Sequence, residues 1–548
     1  MELQFPFGSI AELLQARAED DATALLSGDE AWTWREFVAQ ARIRAAVLQR
    51  LRRPGPWHVG VLMDNEPEYL FLVAGAALCG ATIIGVNPTR RGAELAADIT
   101  GTDCRTLIVG AAHHDLLTGL DLPDIEVLAA DGRAYRDLLR TPPADTTAPP
   151  GTEHTLLLLF TSGSTGAPKA VVCSSSRLAV IGQLNVHNLT ADDVAYSAMP
   201  LFHGNALMAA WAPILVVGGT LAIRPRFSAS AFLPDVRRFG ATFFNYVGRS
   251  LSYVLAQPEV PGESDNRLRL GFGTEASTRD RHEFERRFGC PIAESYGSSE
   301  GVCTIVRAAD TPDGALGRPA EAMGMQICDP DGKPCPPALF DADGRMSNAA
   351  EAIGEIVVRG GRFRFEGYYR NPEATEQKLR GDDYWTGDLA YADADGHYWF
   401  AGRTADWIRV DSENFATAPI ERILARFPAT TTAVAYNVPD PRTGDRVMAT
   451  LLLESGTAFD PAALAEFLTV QPDLGTKWRP RFVRIATELP LTATRKVDKQ
   501  ALRRQAWECA DPIFAWDGTT YRRFTGADRT ALVAEFTDHG RTELLPAL

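Results

Sequence analysis

The stretch LLLLFTSGSTGAPKA, Leu156 to Ala170, runs an apolar segment into a loop of serine, threonine and glycine that closes on Pro168 and Lys169. A buried strand that empties into such a loop suits a phosphate. Gly163 and Gly166 let backbone N–H groups turn toward an anion. Thr161, Ser162, Ser164 and Thr165 offer hydroxyls, and Lys169 adds one mobile charge. Two familiar phosphate loops are excluded. The kinase and ATPase loop needs GxxxxGK followed by Ser or Thr, but Ala167-Pro168 separates Gly166 from Lys169, and Ala170 follows. Pro168 removes an N–H donor and forbids immediate entry into a helix. The dinucleotide turn fails as well, because no GxGxxG follows a strand with an acid downstream.

Other stretches carry further candidates. YGSSEG (Tyr296 to Gly301), WTGDLAYADADGHYWFAGRTADWIRV (Trp385 to Val410) and PLTATRKVDK (Pro490 to Lys499) follow in that order at long spacings. With TSGSTGAPK they resemble the core motifs of the adenylate-forming enzymes: acyl-CoA synthetases, luciferases and peptide-synthetase adenylation domains. The resemblance runs from about residue 10 to about residue 505. RFRFEGYYRNPEATEQKL and NYVGRSLSYVLAQPE look most like bacterial fatty-acyl and very-long-chain acyl-CoA synthetases, including the fatty-acid transport protein branch.

The resemblance implies ATP as a substrate, Mg²⁺ as its companion and CoA as the acceptor of an activated acid. The Thr161 to Lys169 loop would embrace the β- and γ-phosphates. Tyr296, beside Gly297, matches the aromatic that stacks on adenine, and Gly273-Thr274-Glu275 falls where family members line that base. Ser299 matches the hydroxyl position that touches the α-phosphate and the acid, and His203 matches the residue flanking the acid. Glu300 matches the Mg²⁺ ligand, which fits a hard cation that takes few protein oxygens plus phosphate. Asp388 matches the acid that accepts both ribose hydroxyls, and Arg403 the guanidinium near ribose and phosphate. Lys496 matches the catalytic lysine, which stabilises charge between carboxylate and α-phosphate during adenylation.

Three positions depart from the family pattern. Ser412 stands where glycine usually lines the pantetheine tunnel, Ala405 occupies a hinge position commonly filled by Asp or Lys, and Arg495 precedes Lys496 where glycine is frequent. The leading expectation is an acyl-CoA synthetase. Ser412 lends mild support to an ATP-dependent diazotase that activates nitrite for an aromatic amine in a natural-product pathway. An acyl-AMP ligase that loads a carrier protein is a further alternative. A non-catalytic ligand-sensing relative would be expected to lose Lys496, Asp388 or Glu300, and all three are present.

The elements that must position these residues are α/β. Ser9 with Glu12, and Thr33 with Glu36, read as capping boxes. HVGVLM and TLIVG are short buried-strand runs separated by helical patterns, which argues for parallel sheet covered by helices. YLFLVAGAALCGATIIGV, Tyr69 to Val86, reads as a buried helix feeding a buried strand rather than a membrane span. A Pro-rich connector, Thr141 to His154, precedes the phosphate loop, and strand-rich sequence covers about Met323 to Phe400. After FAGRTADWIRV come a helix with Pro419 in its first turn, the strands TTAVAYNV and RVMATLLLE, and a helix with Asp460 as N-cap and Pro461 first. The expected fold is a large N-terminal domain of helix-covered sheets with a β-rich subdomain (1–403), a small mobile α+β domain (404–504) and a C-terminal extension (505–548).

Composition bounds the partners. The 548 residues are 45% hydrophobic and carry a net charge of −15, so nucleic acid and anionic membrane are poor partners for lack of a basic face. The eight cysteines form no CxxC pair and no Cys/His ligand spacing, as reduced thiols in a cytoplasmic protein would. The start MELQFPFGS has neither the basic nor the apolar stretch of a secretory signal. Expected partners are a small-molecule acid and CoA or another small acceptor, with no integral membrane segment.

Overall fold

The computed structural model describes residues 5–545 other than 147, 149, 162–168, 248–249, 275, 277, 309, 343–345, 404–406, 411–412, 443, 472–473, 476 and 493–495; in strands, the side chains of 403, 407, 409, 413, 414 and 416 are also outside the description. The chain forms two compact units that interleave along the sequence. The first contains Met1–Arg307 with Gly360–Asp382, and the second contains Ala308–Arg359, Asp383–Thr492 and Lys496–Leu548.

The first unit's strands, in chain order, are β1 (Thr23–Ser27), β2 (Glu30–Thr33), β3 (His58–Leu62), β4 (Thr82–Gly85), β5 (Thr106–Val109), β6 (Glu126–Ala129), β7 (Thr155–Thr161) and β8 (Lys169–Ser174). They continue with β9 (Val194–Ser197), β10 (Thr220–Ile223), β11 (Phe243–Asn245), β12 (Leu270–Gly273), β13 (Ile292–Gly297) and β14 (Thr304–Val306). One sheet has the order β6-β5-β3-β4-β7-β8 and the other β14-β13-β12-β11-β9-β10-β1-β2. Both are parallel in the middle, as the alternating apolar runs predict, with antiparallel pairs at β7–β8, β13–β14 and β1–β2.

The run Leu156 to Leu159 is apolar at every position because its strand is buried on both faces. Leu157 and Leu159 share a core with Phe243 and Phe272 of the other sheet. Leu158 packs on the opposite side with Ile84, Leu107 and Val109. The Tyr69 to Val86 run is resolved as expected: helix Pro67–Cys79 ends on Gly80, whose φ of 88° stops it, and feeds the buried strand β4.

Caps mostly follow the sequence. Thr33 and Glu36 form a reciprocal capping box. At the first helix, Ile10–Ala16, the expectation needs correction. Ser9 does accept from the Glu12 N–H at 3.3 Å, but the Glu12 carboxylate takes the Gly8 N–H at 2.7 Å, one residue upstream of the cap.

In the second unit, Met325–Cys328, Gly354–Val358, Asp383–Ala392 and Tyr398–Arg403 pair antiparallel in succession. Helix Thr417–Leu424 precedes the antiparallel pair Thr430–Pro439 and Asp445–Leu453, and Asp460 caps helix Pro461–Thr469 by accepting from Ala462 and Ala463. Phe482–Ala486 joins that pair in parallel, and the chain's last segment then extends the sheet with Ile513–Trp516 and Tyr521–Arg523. Helix Gly526–Asp538 buries Leu532 and Phe536 in one cluster with Phe482 and Trp507. Arg484 and Asp511, 2.6 Å apart, tie the tail to the sheet it extends.

Candidate active site

The segment expected to meet phosphate joins two antiparallel strands. Thr161 ends β7, Lys169 opens β8, and the two are register partners, with the Thr161 hydroxyl donating to the Lys169 carbonyl at 3.5 Å. The chain thus returns as strand and not as helix, in line with Pro168. Ser162, Gly163, Ser164, Thr165 and Gly166 lie outside the described residues.

Lys169 is 9% exposed. Its amine sits over the Tyr368 ring, 5.3 Å from the centroid. Burial lowers its pKa, the charge of Lys378 adds to that effect, and Glu300 opposes it. Glu300, also 9% exposed, accepts the Tyr368 hydroxyl at 2.6 Å. Burial alone would raise its pKa. The Tyr368 hydrogen bond, the Lys378 charge, its own backbone N–H and the Ser298 hydroxyl together outweigh burial, so its carboxyl lies below the usual range. An ionised carboxylate held by donors beside two lysines is a donor set that suits Mg²⁺ on a polyphosphate.

The other candidates in this unit gather where parallel strands end, at the carboxyl edge on which open α/β sheets place their ligands. Gly273 closes β12 and Thr274 follows, while Tyr296 and Gly297 close β13 next to it. Gly273 is dictated by packing, because a Cβ there would lie 2.4 Å from the Tyr246 carbonyl oxygen. Ser299 and Glu300 follow β13 directly. His203 precedes the short helix Gly204–Ala206, and Asn205 in that helix accepts from Asn245 at the end of β11, 2.7 Å away. Glu275 lies outside the described residues.

Asp388, Arg403 and Lys496 belong to the second unit. Asp388 and Arg403 are cross-strand partners, so the two ribose-side candidates share one rung of a ladder. The Arg403 side chain is outside the description. Lys496 is half-buried. Its carbonyl accepts from the Thr492 N–H at 2.7 Å, its N–H donates to the Thr492 hydroxyl at 3.2 Å, and Leu491 bridges to Val497. Ser412, Ala405 and Arg495 lie outside the described residues.

Two neighbours of Lys169 and Glu300 carry no signal in the sequence. Tyr368 and Lys378 both fall in RFRFEGYYRNPEATEQKL, which marks a branch of the family but holds no motif with chemistry of its own. Elsewhere, Asp393, Asp395 and His397 bring ligand atoms within 4.8 Å of one another. Asp393 is already engaged, accepting from the Asp395 and His397 N–H groups at 3.0 and 2.9 Å and from the Trp399 indole at 2.9 Å. That geometry locks a hairpin turn rather than offering a cation a site.

Residues 14–369 match the AMP-binding enzyme family, and residues 419–496 match the AMP-binding enzyme C-terminal domain. The chain belongs to the AMP-binding enzyme family. It is 48% identical over 548 residues to a steroid-22-oyl-CoA synthetase of Rhodococcus jostii (strain RHA1), covering 98% of this chain and 99% of that protein. It is 43% identical over 518 residues to the medium/long-chain-fatty-acid–CoA ligase FadD17 of Mycobacterium tuberculosis, covering 92% and 98% of the two chains. The ATP-bound crystal structure of MatB from Rhodopseudomonas palustris shares the fold, with a TM-score of 0.80 and 25% identity over 90% of this chain and 98% of that one. The family's mixed α/β organisation, a large N-terminal domain followed by a smaller C-terminal one, is the one the motif order predicts. Among the described residues no helix is long and apolar enough to cross a membrane.

Proposed function

We propose that the chain is an AMP-forming acyl-CoA synthetase for a large lipophilic carboxylic acid, fatty or steroid-derived. The observation that carries this reading is the 48% identity to a steroid-22-oyl-CoA synthetase along almost the whole chain. The fatty-acid–CoA ligase relative supports the same acceptor and the same lipophilic class.

In the first step a carboxylate oxygen of the acid attacks the α-phosphorus of ATP, the bond to the bridging oxygen breaks, and pyrophosphate leaves. Two anions must meet, so the work of the site is positioning and neutralising charge. Tyr296 with Gly297, Gly273, Thr274 and Glu275 would hold the adenine, and Asp388 and Arg403 the ribose. The loop from Thr161 through Ser162, Gly163, Ser164, Thr165 and Gly166 to Lys169 would grip the β- and γ-phosphates. Ser299 and His203 would align the acid with the α-phosphate. Glu300 is the residue that would hold Mg²⁺, which when bound supplies charge neutralisation to the triphosphate. Lys496 would stabilise the charge between the two reacting groups.

In the second step the CoA thiolate attacks the acyl carbon, the carbon–oxygen bond to AMP breaks, and AMP leaves. We assign residues 404–504 as the mobile domain that delivers Lys496 for the first step and withdraws it for the second, a hinge motion. All eight cysteines are free, which supports a cytoplasmic setting.

Pyrophosphate release tests the reading. With ATP and Mg²⁺, medium- and long-chain fatty acids and steroid side-chain acids should drive release, and added CoA should yield the acyl thioester. Turnover driven by nitrite that ignores CoA and needs an arylamine would overturn it.

A further inference from the structure

The Lys169, Tyr368 and Glu300 cluster has a feature that the triphosphate reading does not account for. A buried lysine and a buried glutamate that face one side chain ordinarily close into an ion pair, because each is costly alone in low dielectric. Here a tyrosine stands between them. The lysine amine lies over its ring at 5.3 Å, the carboxylate takes its hydroxyl at 2.6 Å, and among the described residues the two charges make no direct pair. An aromatic face attracts a cation and a phenol donates to an anion, so one side chain satisfies both groups while keeping them apart.

The backbone of Tyr368 is fixed for this task. Segment 367–369 runs antiparallel to β8, with Val172 donating to the Gly367 carbonyl at 3.1 Å and Tyr369 donating to the Ala170 carbonyl at 2.8 Å. On one side Glu366 accepts from the Ser174 N–H at 2.7 Å, and on the other the Tyr369 hydroxyl donates to Asp103 at 2.8 Å. The Tyr368 N–H donates to the Thr375 hydroxyl at 3.0 Å. The clamped strand is the one that begins with Lys169, so the lysine and the tyrosine move as one piece.

We propose that Tyr368 is a positioning residue that works as a charge spacer: its ring holds Lys169 ready for the pyrophosphate end of ATP, while its hydroxyl orients Glu300 toward a divalent cation. This rests on the assignment of Glu300 and Lys169 to the triphosphate. The ring and hydroxyl roles separate cleanly by substitution. Tyr368→Phe keeps the ring and its packing, and Tyr368→Leu removes both functions.

The test uses the full chain without acid substrate, so that no turnover occurs. Binding of Mn²⁺ with ATP is read by the enhancement of water-proton relaxation over that of Mn²⁺ and ATP without protein, and binding of metal-free pyrophosphate is read by calorimetry. Tyr368→Phe should weaken Mn²⁺ about tenfold, as loss of a ligand's hydrogen-bond partner does, and leave pyrophosphate affinity within about twofold. Tyr368→Leu should weaken both. If Tyr368→Phe binds Mn²⁺ as the wild type does while Glu300→Gln does not, the spacer role is overturned and the metal assignment stands. If Glu300→Gln also binds Mn²⁺ normally, the metal assignment itself is wrong. A drop in melting temperature with unchanged Mn²⁺ and pyrophosphate affinities would reduce Tyr368 to a packing residue and sink the proposal.

Discussion

Lys169 and Lys496 are both candidate ATP-handling lysines, and the molecule treats them in opposite ways. Lys169 opens β8, the last strand of its sheet, is almost wholly buried, and rests on a tyrosine that is itself clamped along that strand. Lys496 is half-buried, with two backbone contacts to Thr492, and a β-bridge between Leu491 and Val497 and a hydrogen bond from the Asp498 N–H to the Pro490 carbonyl beside it. A buried charge needs fixed compensation, so Lys169 belongs to a rigid network. A half-buried charge keeps part of its hydration and needs less such compensation. The contrast separates a buried lysine backed by a tyrosine from a half-buried one.

The strongest way to break the comparison is Lys496→Ala. Acyl-adenylate formation should fall about 10²- to 10³-fold, the scale of losing a group that meets transition-state charge. ATP affinity and melting temperature should barely move, and a variant that adenylates at the wild-type rate would end the assignment. Next comes the rigidity of the first unit at its carboxyl edge. Gly273→Ala should destabilise the unit by roughly 2–3 kcal/mol, because the new methyl meets the Tyr246 backbone and cannot be accommodated by a side-chain shift. Gly297→Ala, where the nearest heavy atom would be 3.5 Å away, should leave the melting temperature unchanged; thermal unfolding of the pair reads the difference.

The smallest effect at neutral pH concerns an uncompensated charge in the same unit. His187 is 4% exposed and stacks on Phe243 and Phe272. Burial, with a lesser contribution from the Arg269 charge, lowers its pKa from 6.5 to about 4. The fold therefore holds the neutral ring. Its contribution to stability is complete above about pH 6.5 and drains away as pH falls toward about 4, by on the order of 3 kcal/mol in all. His187→Leu should flatten the melting-temperature profile across that window and match the wild type's slope above it. Equal slopes below pH 6 would show that the core tolerates the charge, contrary to the treatment of Lys169 and Glu300.

Much of this is legible in the sequence. The apolar run into a hydroxyl loop, Pro168 barring a helix, the Pro67–Cys79 helix feeding β4, and the Thr33 and Asp460 caps all depend on neighbours within a few residues. The order of four motifs was enough to place the family. Tyr368 was not legible, since its partners Lys169 and Glu300 lie far away in the chain and nothing in GYYRNP signals a shared site. The tail from Cys509 was equally opaque. Its strands matter because Phe482–Ala486 has an edge for them to pair with, and an edge exists only once the sheet is assembled.

The division follows the range of the interactions. Strand, turn, cap and loop chemistry are short-range, and the residues responsible sit side by side, so their types and spacing are sufficient. The Asp388–Arg403 rung, the approach of Lys169 and Glu300 to one tyrosine, and the close contact that demands glycine at 273 arise from strand register and sheet packing. Those set distances between residues that the chain itself keeps far apart, and the compensation of buried charge is decided at those distances.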